Sequence, residues 1–344
     1  MNTFTSYLEK LGSNFLVSAM VPSLALVIAS IMVFDPSLNV PTAFEELQDT
    51  YQLVGLGLLV FIFTVIIGFT LTALNTFILK MFEGYVIPPP VRFLYNKSRN
   101  IHLQKARNLM RHRNILKSKI RELEEHAGNN PGREAELEDL RDKYYRVAAD
   151  YDLIYPEDLA DVMPSRFGNT LKAAENYPGE RYGFDSIHIW PRLVHVIPTE
   201  YKLSIDTVRN ELSFLVNMSI LSVTFSFLCL LAIFYSMGAI SGAGTDPAVF
   251  FEFSGKTLKY LAAAALGFIS CGFFYNASIF SVGSFGLMIR SSFDLFRLDL
   301  LKKLGMERPK DSIEEFETWQ KLNELIVLGS HSLTFKKLDY REKE

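Results

Sequence analysis

A run of twenty-nine residues from Tyr51 to Leu79 contains no charged side chain and consists mainly of Leu, Ile, Val and Phe. A helix needs about 20 apolar residues to cross a bilayer core of about 30 Å. The run therefore predicts a transmembrane helix, and three similar runs predict three more. The predicted spans are residues 15–34, 51–80, 212–238 and 260–289.

The rest of the chain is polar enough to form a second part. Of its 344 residues, 49% are hydrophobic and 21% are charged, and the mean hydropathy is +0.15. This hydropathy is high for a soluble protein and low for one embedded entirely in lipid. We therefore predict an all-α fold of four spans, with a helical domain inserted between spans two and three. The predicted parts are a transmembrane hairpin (1–82), a helical-hairpin and elbow domain (83–211), a second transmembrane hairpin (212–289) and C-terminal helices (290–344).

A cleaved signal peptide is the alternative interpretation of the first apolar run. Only Lys10 is basic in the segment before the run, and no small-residue cleavage site stands out before Asp35. We favour a retained span. Pro22 lies within it and is expected to kink the helix by removing one backbone hydrogen bond.

Apolar residues recur at helical spacing in two stretches of the insert, separated by the turn-forming sequence Gly128–Gly132. This pattern predicts two amphipathic helices that pack antiparallel. Arg113 falls on the seam of the first and is expected to weaken it. The seam positions are Ala106, Leu109, Leu116, Ile120 and Leu123, followed by Leu137, Leu140, Tyr144, Val147 and Tyr151.

The segment after the insert's two helices, from Asp152 to Glu200, is rich in Pro, Gly and aromatic residues and is expected to be less regular. Beyond the fourth span, apolar spacing predicts that the helix continues to Gly305 and is about 65 Å long at 1.5 Å per residue. Ser312 with Glu315 predicts the capping box of a last helix.

Lys and Arg concentrate on one side of the predicted spans. They are frequent between Lys80 and Arg209 and again from Arg290 onward, whereas the loop after the first span has none. Because positive residues remain in the cytoplasm, both termini and the insert are predicted to be cytoplasmic.

Three segments carry a resemblance to known proteins. They are Leu11–Phe15 running into Val21-Pro22, then Glu83-Gly84-Tyr85, and finally the Arg166–Leu193 stretch. Together they resemble a group of bacterial four-span inner-membrane proteins of unknown function. The resemblance implies a bacterial inner-membrane location and transfers no catalytic residue. The placement of the insert is also similar to that of flagellar-stator-type motor subunits, which is a likeness of topology alone.

Basic residues just after the second span form one candidate site. Lys97, Arg99, Lys105 and Arg107 are candidates for binding anionic lipid headgroups. The alternative, which we favour, is that they set the topology and form a solvated helix face. Nucleic acid is a poor third interpretation because the run lacks interleaved aromatic residues.

A second candidate is the densest polar and aromatic cluster of the insert. Arginine forks suit phosphate groups, so the cluster could hold a phosphate or a nucleotide. We favour the alternative of an ion-paired structural elbow, because no glycine-rich phosphate loop accompanies it. His188 and His195 lack a third ligand, and we predict neither a metal nor a cofactor. The cluster comprises Arg166, Glu175, Arg181, Asp185, Trp190 and Arg192.

The fourth span is rich in small residues, which allow helices to approach closely or could line a pore between several copies. We favour close packing. Apart from Lys80 at the end of the second, no Asp, Glu, Lys or Arg lies inside any predicted span, which argues against a proton relay or an ion-coupled pump. The candidate packing or pore residues are Gly267, Ser270, Cys271, Ser281 and Ser284.

These features favour a non-enzymatic function. The first hypothesis is an oligomeric channel or membrane effector that is gated through its helical insert. The second is a membrane-anchored scaffold that recruits a cytoplasmic protein through the insert. The third is a membrane-bound enzyme that uses the Arg166 to Arg192 cluster. The predicted partners are the anionic bilayer, further copies of the chain and a cytoplasmic protein.

The predicted topology can be tested with reporter fusions. Fusions at Asn129 and after Glu344 are expected to be active as cytoplasmic reporters, because basic flanks stay in the cytoplasm. A fusion near Val40 should behave as a periplasmic reporter. A periplasmic signal from position 129 would contradict the whole predicted topology.

Overall fold

The computed structural model describes residues 15–34, 50–86, 92–125, 131–240 and 247–329. This part of the chain is built from helices and contains no strand. The helices are α1 (Val21–Phe34, preceded by a π-helical turn, Leu16–Met20), α2 (Thr50–Glu83), α3 (Arg92–Glu125), α4 (Pro131–Ile154), α5 (Arg166–Tyr182), α6 (Ser186–Leu193), α7 (Thr199–Ile240), α8 (Pro247–Lys303) and α9 (Ser312–Leu328), with a short 3-10 helix at Leu159–Asp161.

The chain divides into two compact units. We call Met1–Leu79 with Arg209–Ser281 the membrane unit, and Lys80–Val208 with Val282–Glu344 the polar unit. Among the described residues, four helices are long and apolar enough to cross a membrane, as expected of a multi-pass membrane protein. They lie within Leu16–Phe34, Val54–Glu83, Thr199–Ser236 and Gly255–Lys303.

Small and hydroxyl-bearing residues bring α7 and α8 together in the membrane unit. Ser226 Oγ donates a hydrogen bond to the carbonyl of Ala264 at 2.9 Å, and Ser219 Oγ donates to the carbonyl of Cys271 at 3.1 Å. Gly267 lies against α7, where a Cβ would overlap Ser226 Oγ and lie 3.0 Å from the carbonyl oxygen of Ser222. These contacts require a helix surface without large side chains.

A side chain of α7 bonds to the backbone of the first span close to Pro22. An α-helix pairs the carbonyl of residue 18 with the amide of residue 22, and proline has no amide hydrogen. The Asn217 side chain donates to the Ser18 carbonyl at 2.7 Å. The backbone before Pro22 is π-helical rather than sharply broken. Asn217 is 2% exposed, so this amide is an internal link between α1 and α7.

Aromatic rings form the centre of the polar unit. The Phe184 ring lies 4.5 Å from Trp319 and 5.5 Å from Phe293, measured between ring centroids. Leu300 and Leu301 of α8 are buried in the same cluster. The cluster therefore joins α5, α6, α8 and α9, because each contributes side chains to it or packs against it.

A smaller core forms where α3 meets α4. Ala106 and Tyr151 are fully buried there, and Leu116 is also buried. The Tyr151 hydroxyl donates to the Pro156 carbonyl at 3.0 Å. Burial raises the pKa of Tyr151 to about 12. The predicted seam residues are more buried than the flanking residues on both helices.

The end of α2 is fixed to the start of α5 within the polar unit. Ser165 caps α5 by accepting from the Gly168 amide at 2.8 Å. Its hydroxyl also donates to the Phe82 carbonyl at 2.7 Å. Gly168 lies against the Glu83 carbonyl, where a Cβ would overlap it. One serine thus serves the ends of two helices.

Several predicted boundaries differ from the structure. Helix α7 begins at Thr199 and α8 at Pro247, each thirteen residues before its predicted span start at 212 and 260. Most of the segment predicted to be irregular forms α5 and α6. The cap of α9 is Asp311, which accepts from two amides, rather than Ser312. Gly305, with φ +78°, ends α8 as predicted. The predicted turn within 128–132 lies largely outside the described residues, as do the first loop and the C-terminal tail.

Replacement of Asn217 by Leu should destabilise the membrane unit. The variant loses the donor to the Ser18 carbonyl, at an expected cost of about 1 kcal/mol in the free energy of unfolding. Asn276→Leu is the matched control, because the Asn276 amide is exposed and donates to Gly272 of its own helix. Unfolding of both variants in mixed micelles is the measurement, and equal losses of stability would contradict the link.

Candidate functional site

Two neighbouring cavities open on the polar unit. The first, of about 310 Å³, is lined by three arginines, three carboxylates and two tyrosines, and we call it the arginine pocket. Its residues are Arg113, Asp152, Tyr155, Glu157, Ala173, Tyr177, Glu180, Arg181 and Arg290. The second, of about 480 Å³, we call the acidic pocket, and its charged residues are Glu157, Asp158, Lys172, Glu175, Glu180 and Asp185.

Arg113 has its carboxylate partners inside the arginine pocket. Its guanidinium donates to both oxygens of Glu157, at 2.8 and 3.1 Å, and lies 3.4 Å from Asp152. It also covers the Tyr151 ring at 4.9 Å from the centroid. The hydrogen bonds to Glu157 raise the pKa of Arg113 despite its partial burial. Arg113 was expected to weaken the helix seam, but it connects α3 to α4 and to the following loop.

Tyr177 organises the opposite wall of the arginine pocket. Its hydroxyl donates to Asp294 at 3.0 Å, and burial followed by this hydrogen bond raises the pKa of Tyr177. The guanidinium of Arg290 lies 5.1 Å from the ring centroid, and that of Arg181 lies 5.7 Å away. Arg290 donates to the Asp152 carbonyl at 2.6 Å.

The acidic pocket carries a weak internal ion pair. Lys172 lies 3.5 Å from Glu175. Burial raises the pKa of Glu175, and Lys172 opposes that shift. Burial also raises the pKa of Glu180. Among the described residues, no group of three or more His, Cys, Asp or Glu side chains could hold a metal ion.

The structure does not bring the six residues of the predicted polar cluster to one cavity. Glu175 and Asp185 line the acidic pocket, and Arg181 lines the arginine pocket. Trp190 packs on Phe293 at 5.8 Å between ring centroids. The other two lie on the surface, where Arg192 donates to the His188 carbonyl at 2.7 Å and Arg166 is exposed.

The predicted lipid-headgroup residues have different surroundings. Arg99 donates to the carbonyls of Val162 and Ala160, each at 2.8 Å. It therefore anchors the loop before α5. Lys97, Lys105 and Arg107 are exposed on α3. Contact of these three with lipid stays a prediction.

The small residues predicted in the fourth span also differ from one another. Gly267 is buried against α7, and the Cys271 carbonyl accepts from Ser219. Ser281 is 4% exposed, while Ser284 is exposed. Ser270 lines a cavity of about 200 Å³ between α1, α7 and α8. Gly267 and Cys271 thus take part in packing within one chain.

Sequence reasoning missed the residues that form the arginine pocket with Arg181. Arg290 and Asp152 are 138 residues apart in the chain, and Tyr177 reaches Asp294 over 117 residues. One signal was present, because a charged Arg113 on an apolar seam requires a partner from elsewhere.

No protein-family model matches this sequence, and no curated protein or solved structure matches it either.

A methyl group at Gly267 should destabilise the membrane unit. Gly267→Ala forces Ser226 and the backbone of α7 to move, at an expected cost of about 1–3 kcal/mol. Gly272→Ala is the matched control on the same helix, because a Cβ there meets nothing within 4 Å. Melting temperatures in detergent check the pair. A Gly267→Ala protein as stable as the control would contradict close packing at this position.

Proposed function

We propose that this chain is a multi-pass membrane protein that forms an oligomeric channel or membrane effector, regulated through its polar unit. One observation carries the proposal. Helix α8 is continuous over 57 residues, which is about 85 Å at 1.5 Å per residue. It supplies Gly267 to the membrane unit and Phe293, Leu300 and Leu301 to the core of the polar unit.

A continuous helix that has residues in both units can transmit a signal from one unit to the other. Packed helices change position as rigid rods, in steps of an ångström or two, because cores tolerate only discrete arrangements. We therefore expect a change in the packing of Phe293 to act on Gly267 through this continuous helix. The direction of the expected regulation is from the polar unit to the spans.

The proposal is tested by ion flux through liposomes containing the full chain. Phe293→Leu alters a side chain with no exposure in the polar core, whereas Leu295→Ala alters one that is 59% exposed on the same helix. Phe293→Leu is expected to change flux severalfold with unchanged oligomer size in detergent, and Leu295→Ala to match wild type. Absence of flux from wild type under every stimulus tried would eliminate the channel function.

The scaffold hypothesis is the second candidate, and a separate observation favours it. Phe93, Leu94, Ile101 and Ile115 of α3 and Tyr145 of α4 are exposed by 44% or more. Exposed apolar residues on a charged helical hairpin are typical of a surface that meets a partner. The enzyme hypothesis has no comparable support, because the six residues proposed for it are not brought together in one cavity.

A further inference from the structure

The arginine pocket contains charges of both signs that are not in direct contact with a partner of opposite charge. In the described part of the chain, Arg181, Arg290 and Glu180 make no close salt bridge, although Arg290 and Glu180 attract each other at longer range and Arg181 has a side-chain hydrogen bond with Tyr182. Arg113, by contrast, is held by Glu157 on both oxygens. The pocket therefore has one arginine in a direct ion pair and two whose guanidinium groups have no carboxylate in direct contact.

The other two arginines share a wall. Both lie against the Tyr177 ring, and Asp294 fixes the Tyr177 hydroxyl. A guanidinium group has five N–H donors, and Arg290 makes a hydrogen bond to one backbone carbonyl, that of Asp152. A half-buried guanidinium with so few acceptors gains free energy when an oxyanion approaches, because desolvation of its charge is then compensated.

Glu180 supplies the opposite charge. Its carboxylate accepts a hydrogen bond from the backbone amide of Glu157, at the long distance of 3.3 Å. Asp152 and Glu157 lie in the same cavity and face Arg113. A ligand with only negative charge would meet these three carboxylates, and one with only positive charge would meet three arginines.

A ligand that carries both charges avoids each of these repulsions. We propose that the arginine pocket binds a small zwitterion, of which a free amino acid is the simplest. Its acid group lies between Arg181 and Arg290, and its ammonium group meets Glu180. The cavity of about 310 Å³ suits a molecule of this size, since ligand sites begin near 300 Å³. The rings of Tyr155 and Tyr177 provide the apolar surface for the rest of the ligand.

The test is isothermal titration calorimetry of the full chain in detergent, with each standard amino acid titrated singly. Acetate and methylamine carry one charge each and serve as half-ligands, and inorganic phosphate is the purely anionic probe. At least one amino acid is expected to bind saturably. Each half-ligand is expected to have an affinity at least about tenfold lower than that amino acid. Tighter binding of phosphate than of any amino acid would overturn the proposal, as would no binding at all.

Matched variants locate the site. Arg181→Ala removes an exposed side chain without an ion pair, so the fold should persist, and amino-acid affinity should fall about tenfold or more. Arg192→Ala is the control, because Arg192 is also exposed and contacts a carbonyl of its own helix outside the pocket. Equal affinities in the two variants would overturn the assignment. The experiment measures binding alone, so its result is independent of ion flux.

Discussion

A backbone polar group left unpaired in hydrocarbon costs several kcal/mol, and the membrane unit is built to avoid this cost. The first span departs from regular α-helix before Pro22, and there an amide from α7 donates to the Ser18 carbonyl. Several hydroxyls turn back on their own helices, as Ser222 does to Met218 and Thr224 to Ile220, and others reach the neighbouring helix, as Ser226 does to Ala264. Many polar side chains inside the spans thus find partners within the membrane unit, although Thr64 Oγ1, Asn75 Oδ1 and Ser281 Oγ are buried without one.

The two units reach stability by different physical routes. Burial from water gives little advantage between helices in lipid, so α7 and α8 gain contact by approaching closely at Gly267. The polar unit instead buries large rings around Phe184 and Trp319, where exclusion of water contributes. Helix α8 has both kinds of packing surface, one after the other along the chain. Its small residues lie in the membrane unit, and its large apolar residues Phe293 and Leu300 lie in the polar unit.

Much of the fold could be predicted because spans are defined by length and hydropathy alone. The helix ends could not, since α7 and α8 begin in segments that contain charges and fall outside apolar runs. The shift of the α9 cap from Ser312 to Asp311 is a choice between adjacent cap-forming residues. The arginine pocket could not be predicted from the sequence for a further reason. Its walls come from α3, α4, α5 and α8, and hydrogen bonds across more than a hundred residues leave no local spacing to detect.

Arg290 connects the proposed ligand site to the proposed function through the chain itself. It stands on α8, three residues before Phe293 in the sequence. A ligand shifts an equilibrium only as far as its affinities for the two states differ. Because Tyr177 and the Asp152 carbonyl already hold Arg290 without ligand, binding alone does not imply movement of the helix. Regulation through this pocket requires that the ligand compete with these contacts, so that occupancy and the position of α8 become coupled.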